Sequence, residues 1–429
     1  MKKKYRIILY TSIFLLCVVA SIILVVKKSN SVYEEESKPK VVKHKSMLSM
    51  NLEQTAGSGD YKTVTQSGWP TEGYKFNAEL SRCENGSTLS WDDTKKAVIV
   101  SGNLSDKCYV YFDIYQPTLA EYIKSQYTGT QGENNIYYHD SDLANGAGDN
   151  SYRYAGANPN NFVCFGSDTS PCPTDNLYRI IGVFGENYHG VTGKQLVKLI
   201  KYDYMTTDEL GTDGDYSQTY KEWGMDSTYK GTYGDGERIG VYYWNYKATG
   251  SATNTWSTSL LNKTNLNTNF INNIGTTWAN KIATVTWKVG GNTSANISDV
   301  VPATTYQNEI VNPATTNTTD NATTYSAKIG LMYVSDYGFA ASPDAWTLTM
   351  SSYNNTTATN NNWMYMGLYE WTISRSADSS DDAFSVHCVG FVDYFSVDFS
   401  YGVRASFSLE SSVSYVSGSG SMSDPIVIN

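Results

Sequence analysis

One unbroken apolar run near the N-terminus limits what this chain can be. Residues 7–26 contain no charged side chain, and basic residues stand on both sides of the run. At about 1.5 Å per residue, a helix of this length reaches about 30 Å, the thickness of a hydrocarbon core. The run therefore predicts a retained signal anchor, with a cytoplasmic stub and a transmembrane helix over residues 1–28. A cleaved signal peptide, with Val18 and Ala20 at its small-residue site, is the alternative.

The composition favours a folded, strand-rich chain. Aromatic residues make up 14% of the 429 residues and charged residues 17%. This aromatic content is too high for a disordered chain, and abundant Tyr, Asn, Thr, Ser and Gly favour strands and polar loops. The formal net charge of -10 argues against a nucleic-acid partner, because binding phosphates needs clustered cations.

Basic residues are concentrated before residue 46, so the rest of the chain is more acidic than the overall charge suggests. Positive-inside counting does not decide the orientation, since lysines follow the apolar run as well. The cysteines and the large C-terminal mass favour a single-pass protein of the cell membrane with its C-terminal ectodomain outside the cell.

Three further regions are predicted after the anchor. Residues 29–60 are polar, charged and poor in aromatics, so they are expected to form a tether. Residues 61–115 hold short strand-like runs separated by turn residues, which predicts a small β-rich unit. Residues 116–429 form the large C-terminal domain. Outside the cytoplasm we expect two disulfides, Cys83 with Cys108 and Cys164 with Cys172.

Local patterns in the large domain predict several elements. They are a short helix at 118–127, a hairpin of 177–184 with 196–200, one or two helices within 256–274, a Thr/Asn-rich loop at 301–324 and a buried strand at 329–334.

Four short motifs carry a family resemblance. They are Tyr178-Arg-Ile-Ile-Gly182, Lys328-Ile-Gly-Leu-Met332, Glu370-Trp-Thr372 and Gly402-Val-Arg-Ala-Ser-Phe-Ser-Leu409. In this order they resemble a bacterial surface domain family of unknown function that is related to the C-type-lectin-like fold of formylglycine-generating enzymes. The resemblance covers about residues 116–429, and Ala405 departs from the proline usual after Gly-Val-Arg.

The resemblance implies an α+β fold class: a C-type-lectin-like domain with short strands and long loops, whose C-terminal part presents a binding face. It also implies a structural position for Arg404. Formylglycine-generating enzymes hold copper with two cysteines, whereas the matching region here offers only Cys388, so that chemistry is discounted. His387 could assist a Cys388 thiolate, but neighbours on a strand point to opposite faces. We therefore expect no enzyme, no catalytic residue and no cofactor.

Acidic spots do not predict a metal site. Asp213 and Asp215 stand in a glycine-containing loop that could offer two oxygens to Ca²⁺. Neither the twelve-residue calcium loop nor its closing Glu is present, and a solvated acidic turn is the simpler interpretation. Whether Ca²⁺ binds there stays open.

The composition changes between Thr372 and Leu409. This segment contains no Lys, Glu, Gln, Met, Trp or Asn, and all its residue types can be encoded by codons ending in C. That pattern is expected if AAC codons were randomised at their adenines, as in the target of a diversity-generating retroelement. The alternative is a β-rich tail that disfavours Lys, Glu and Gln.

The candidate ligand-binding residues follow from this segment. They are Asp378, Ser380, Asp381, Asp382, Ser385, His387, Phe391, Asp393, Tyr394, Phe395, Val397 and Phe399, with Cys388 as a further variable position. Rigid aromatics between Asp and Ser are the residue types of adaptable binding surfaces. Ala383, Phe384, Gly390 and Gly402-Val-Arg404 are expected to be scaffold.

These observations predict a surface-exposed receptor or adhesin that uses its C-terminal face to bind an extracellular protein or glycan. A structural or adhesive component of the cell envelope is the alternative. A surface enzyme of the formylglycine-generating type is the third possibility.

Overall fold

The computed structural model describes residues 48–65, 68–70, 73–220, 228–234, 236–293, 297, 299–313, 323–354 and 356–429. The chain divides into two compact units, Met1–Gln116 and Pro117–Asn429. Each unit has its own hydrophobic core.

The N-terminal unit is built from short strands. They are β1 (Leu48–Glu53), β2 (Tyr61–Val64), β3 (Tyr74–Phe76), β4 (Arg82–Cys83), β5 (Thr88–Asp92), β6 (Ala97–Ser101) and β7 (Cys108–Ile114). The main sheet has the order β2-β1-β7-β3, with β4 also pairing with β7. The β1–β7 pair is parallel, while β5 and β6 form a separate antiparallel hairpin.

Strand β1 corrects the predicted tether over residues 29–60. Leu48, Met50 and Leu52 are buried in the core of the unit, and β1 lies between β2 and β7. Their period of two, with polar residues between them, is the signature of a strand, although the local polarity hid it. The predicted disulfide between Cys83 and Cys108 is present and joins neighbouring strands. Closing a loop of this size stabilises the unit by about 3 kcal/mol.

The C-terminal unit contains most of the strands. They are β8 (Ile136–His139), β9 (Ser151–Tyr154), β10 (Phe162–Cys164), β11 (Leu177–Phe184), β12 (Leu196–Lys201), β13 (Tyr216–Thr219), β14 (Gly240–Tyr243), β15 (Val285–Lys288), β16 (Thr324–Ala327), β17 (Ile329–Gly330), β18 (Glu370–Arg375), β19 (Asp382–Val386), β20 (Val392–Ser396), β21 (Ser400–Tyr401), β22 (Ser406–Ser408), β23 (Tyr415–Ser417) and β24 (Val427–Ile428).

Its helices are mostly one or two turns long. They are α1 (Leu119–Ser125), α2 (Glu186–His189), α3 (Thr207–Leu210), α4 (Ile271–Asn273), α5 (Gly275–Ala279), α6 (Pro302–Tyr306), α7 (Val334–Ala340) and α8 (Thr356–Asn360), with π-helical segments at Leu261–Phe270 and Gln307–Val311. Short 3₁₀ turns lie at Glu133–Asn135, Thr174–Asn176, Pro343–Thr347 and Met350–Ser352.

The central sheet of this unit has the order β17-β22-β12-β11-β9-β8, with antiparallel pairings throughout and β10 also paired with β11. Strands β11 and β12 are buried along their whole length, and their sequences are mostly apolar except for Arg179, Lys198 and Lys201. Two smaller sheets, β18-β19-β20 and β13-β14-β21, contain most of the strand residues of the segment 372–409. The predicted disulfide between Cys164 and Cys172 is present here.

Several local predictions hold and two do not. The short helix forms as α1, and the predicted hairpin forms from β11 and β12. The stretch 301–324, predicted as a loop, contains α6 and the following π-helical turns, because Pro302 starts a helix at a favourable first position. The strand predicted at 329–334 ends at Gly330, since Tyr333 already begins the cap of α7.

The predicted fold class, an α+β chain with a C-type-lectin-like domain, is wrong. Among the residues that the structure describes, regular structure is mostly sheet, with 19% helix. Helices stay short because Thr, Asn, Ser and Gly disfavour helix interiors, while Tyr, Val and Ile favour strands. Among the described residues no helix is long and apolar enough to cross a membrane, and the predicted anchor at 7–26 lies outside them.

Charged side chains occupy the interior of the C-terminal unit. Asp336, in the first turn of α7, accepts hydrogen bonds from Lys198 Nζ at 2.6 Å and from the Tyr188 hydroxyl. Arg153 lies 2.7 Å from an Asp149 oxygen and within 4.0 Å of Asp336. We name Lys198, Asp336, Arg153 and Asp149 the buried charged centre. Burial lowers the pKa of Lys198 to about 8, although Asp336 opposes the shift.

Glu309 is another buried carboxylate, at the N-terminus of α7. It accepts hydrogen bonds from the backbone N–H groups of Val334 at 3.2 Å and Ser335 at 3.0 Å, and from the Ser374 hydroxyl at 2.5 Å. Burial nevertheless raises the pKa of Glu309 to about 7, because removal from water outweighs these hydrogen bonds.

Candidate functional site

The segment 372–409 has buried ends and an exposed middle. It begins within β18 and ends beyond β22, and residues 372–377 and 400–409 are buried. Buried positions rarely carry Lys, Glu or Gln. Burial therefore explains part of the composition that the sequence singled out, and the surface of the segment is confined to residues 378–399.

Most predicted ligand-binding residues lie on that surface. Asp378, Ser380, Asp381, Tyr394 and Phe399 are exposed. Asp382, His387, Phe391, Asp393 and Phe395 are partly exposed.

Two predicted contact residues are not available to a ligand. Ser385 lies on the middle strand of the β18-β19-β20 sheet and is fully buried, as is Val397. The Val397 carbonyl accepts hydrogen bonds from the backbone N–H groups of Trp244 and Asn245. The segment around Trp244 and Asn245 therefore covers Val397. The residues next to Val397 in the sequence do not indicate this burial.

Five rings form a continuous patch, which we name the aromatic surface: Tyr369, His387, Phe391, Phe395 and Phe399. Ring centroids are 4.2 Å apart for Phe391 and His387, and 4.3 Å apart for His387 and Tyr369. Phe395 lies 5.9 Å from Tyr369 and 6.1 Å from Phe399. The exposed fraction of Phe399 is 51%. Tyr394 neighbours Phe395 on β20, so it points to the opposite face of that strand.

The hairpin of β19 and β20 positions these rings. Its strands pair in register from Asp382 opposite Ser396 to Val386 opposite Val392. The turn between them closes through Gly390, whose φ of +101° suits glycine, and an added Cβ would lie 3.1 Å from the Tyr353 carbonyl oxygen. The predicted scaffold residues Ala383, Phe384 and Gly390 are all buried.

Arg404 and Glu370 lie beneath this region. Arg404, for which the resemblance implies a structural position, is buried and forms hydrogen bonds of 2.8 and 2.9 Å to the two carboxylate oxygens of Glu370. Such two-point pairing fixes the orientation of both side chains. Tyr369 directly precedes Glu370, the first residue of β18, so this pairing limits the movement of Tyr369.

An acidic loop of residues 376–381 lies beside the rings. Asn254 organises it, with its side-chain nitrogen 2.9 Å from the Ser379 carbonyl and 2.8 Å from the Asp382 carbonyl. Burial raises the pKa of Asp382, and the nearby Asp381 carboxylate adds to the shift. Asn254 is distant in sequence and belongs to an ordinary Asn/Thr-rich stretch, so no sequence signal pointed to it.

A second patch of tyrosines was also missed by sequence reasoning. Strand β14 pairs with β21, and the Tyr243 and Tyr246 rings stack at 4.5 Å. Tyr246 is 45% exposed. The aromatic run Tyr242-Tyr-Trp-Asn-Tyr246 was the available signal, but its pairing with the C-terminal segment depends on tertiary structure.

The prediction that His387 and Cys388 diverge is wrong. The Cys388 sulfur lies 3.4 Å from His387 Nδ1, because both residues belong to the turn after β19, where strand alternation does not apply. The Val389 N–H donates to the same Nδ1 at 3.2 Å, which leaves the ring proton on Nε2 in neutral imidazole. Nε2 lies 2.5 Å from the Tyr369 hydroxyl. The three groups make an arrangement that can assist removal of a thiol proton.

Asp213 and Asp215 are engaged in protein hydrogen bonds. Asp215 is buried and accepts backbone N–H groups from Leu260 at 2.8 Å and Leu261 at 2.9 Å. Asp213 accepts the Asn269 amide. Within the described residues there is no group of three or more His, Cys, Asp or Glu side chains that could hold a metal ion.

No protein-family model matches the chain, and no curated protein or solved structure is similar enough to count as a match. The resemblance to the bacterial surface domain family therefore stays a prediction.

Proposed function

We propose that this chain is a membrane-anchored, surface-exposed binding protein of receptor or adhesin type, whose aromatic surface contacts an extracellular protein or glycan. The observation that carries the proposal is the continuous aromatic surface, in which Phe399 is exposed and the other four rings are partly exposed. Phe399 presents half of its surface to solvent, although burying a Phe side chain contributes about 1.5–3 kcal/mol to folding. Aromatic rings on a rigid frame offer a ligand large contact area at low entropic cost.

The distribution of exposed positions supports diversification of this surface. Most residues that the codon pattern marks as variable, such as Asp381 and Phe399, reach solvent, although Ser385 and Val397 do not, and the scaffold residues Phe384 and Gly390 are buried. Substitution at an exposed position costs little stability, while substitution at a buried position disrupts packing. A diversified receptor needs surface positions that accept substitutions while the buried scaffold residues stay constant.

Sequencing the gene segment for residues 372–409 in many cells of one strain tests diversification. We expect changes at exposed positions between 378 and 399, with Phe384, Gly390 and Arg404 constant. An invariant segment would remove this part of the proposal and favour an adhesin with one ligand or a structural envelope component.

A binding experiment tests the contact surface directly. Cells displaying the full chain would be applied to arrays of extracellular proteins and glycans. The double variant Phe395→Ser/Phe399→Ser should lose the bound features. Val416→Ser is the matched control, since Val416 is an exposed apolar residue of the same unit outside the aromatic surface. Equal binding by both variants would show that the contact site lies elsewhere.

A further inference from the structure

The N-terminal unit carries a groove of its own, of about 530 Å³. Strand β3 and the β5–β6 hairpin form its walls, and Pro70 and Tyr115 also line it. This volume lies within the ordinary range of ligand sites, about 300–1,000 Å³. The groove lies in the N-terminal unit and is independent of the aromatic surface described above.

Aromatic rings provide the floor of the groove. Phe76 and Trp91 lie nearly parallel, with an interplanar angle of 15° and centroids 6.5 Å apart. The edge of Trp91 meets the buried Phe112 ring at 5.5 Å, which holds the indole in place. Tyr74 and Tyr115 add further aromatic surface, and Tyr115 is 38% exposed. Rings held in fixed planes offer flat apolar faces to a ligand.

A polar pair stands at the rim of these rings. The Asp93 carboxylate accepts the Trp91 indole N–H at 2.9 Å and lies 3.4 Å from Lys96 Nζ. Both side chains of the pair are mostly exposed, so their remaining hydrogen-bonding capacity faces solvent. Lys96 has a φ of +46°, a conformation that non-glycine residues rarely adopt. One carboxylate and one ammonium group cancel in charge and together can accept and donate hydrogen bonds.

We infer that this groove binds a neutral glycan chain. Pyranose rings present flat faces of C–H groups that pack on indole and phenyl planes, while their hydroxyl groups hydrogen-bond with carboxylate and ammonium groups. A polyanion fits less well, because Lys75, Asp93 and Lys96 together give the groove only one net positive charge on an acidic chain. A proline-rich peptide would use the rings but has few hydroxyl groups for the Asp93–Lys96 pair.

Calorimetric titration of the full chain with cello-, manno- and chito-oligosaccharides tests the inference. We expect at least one series to bind and to perturb tryptophan fluorescence. Trp91→Ala should weaken that binding by about tenfold, equivalent to about 1.4 kcal/mol. Tyr109→Ala is the matched control, since Tyr109 belongs to the same unit but does not line the groove.

Because Trp91 also packs on Phe112, a second variant keeps the test decisive. Lys96→Gly removes the ammonium group at a backbone position that glycine adopts readily, so folding is preserved while binding should weaken several-fold. Absence of binding by every saccharide would overturn the inference, as would undiminished binding by both groove variants. Binding of a proline-rich peptide in place of saccharides would also overturn it. Phe399→Ser should leave saccharide binding unchanged, so this result is separable from that for the aromatic surface.

Discussion

The buried charged centre and the aromatic surface reverse the usual arrangement of a globular domain. Lys198, Arg153 and Asp336 are at most 1% exposed, whereas Phe399 is 51% exposed. A buried charge is costly without a partner, so partners such as Asp336 hold Lys198 in one arrangement. The Phe399 ring is half exposed, so replacing it should cost little folding stability. The contrast shows that one unit can have an interior in which substitutions are destabilising and a surface on which they cost little stability.

Removing one partner of the buried charged centre should have the largest effect. Asp336→Ala leaves Lys198 buried without its carboxylate, and we expect the free energy of unfolding to fall by about 3–5 kcal/mol. Asp381→Ala, at an exposed carboxylate of the acidic loop, should change it by less than about 0.5 kcal/mol. Urea unfolding of both variants provides the comparison. Similar small losses would contradict the importance of the buried centre.

The buried carboxyl group of Glu309 should make the free energy of unfolding depend on pH. Its folded-state pKa of about 7 exceeds the ordinary 4.5, so the folded protein holds a proton that the unfolded chain has lost between these pH values. Stability should therefore fall as pH rises through this window, by up to about 3 kcal/mol. Glu309→Gln should remove this contribution.

Urea unfolding from pH 4 to pH 8 measures the difference between wild type and Glu309→Gln at each pH. Glu410→Gln, at a partly exposed carboxylate, is the control and should follow wild type. A constant difference between wild type and Glu309→Gln across the range would show that Glu309 does not titrate there.

On the surface, stability and binding should separate. Phe399→Ser should change the free energy of unfolding by less than about 1 kcal/mol, because half of the ring is already exposed. Phe407→Ala, in the core, should cost about 3–5 kcal/mol. Binding to the array should fall for Phe399→Ser despite its near-native stability. A large loss of stability for Phe399→Ser would assign the ring to the core instead.

The smallest effect concerns the Cys388 thiol. His387→Phe keeps an aromatic ring but removes the nitrogen 3.4 Å from the sulfur, so alkylation of Cys388 by iodoacetamide should slow several-fold. Cys388→Ser should leave unfolding within about 0.5 kcal/mol of wild type. Mass spectrometry after timed alkylation measures the rate. An unchanged rate in His387→Phe would show that the imidazole does not assist the thiol.

Local sequence predicted some features well and others poorly. The hairpin of β11 and β12 was predicted from two mostly apolar runs, and both disulfides were predicted from the positions of the cysteines. The burial of Ser385 and Val397 could not be predicted, because the residues that cover them are distant in the sequence. The His387–Cys388 contact was missed because a turn replaced the assumed strand. The helix at Pro302–Tyr306 was missed because the Thr/Asn-rich composition of residues 301–324 predicted a loop.

The sequence by itself determined composition, cysteine chemistry and the segment 372–409, because these depend only on which residues are present and in what order. Tertiary structure alone decided which residues of that segment reach solvent, and it brought Tyr369 against His387 and Asn254 against the acidic loop. Such contacts join residues far apart in the chain, and the energy of burial depends on everything packed around them. That dependence on all neighbours is why the aromatic surface, the buried charged centre and the groove became visible only in the folded protein.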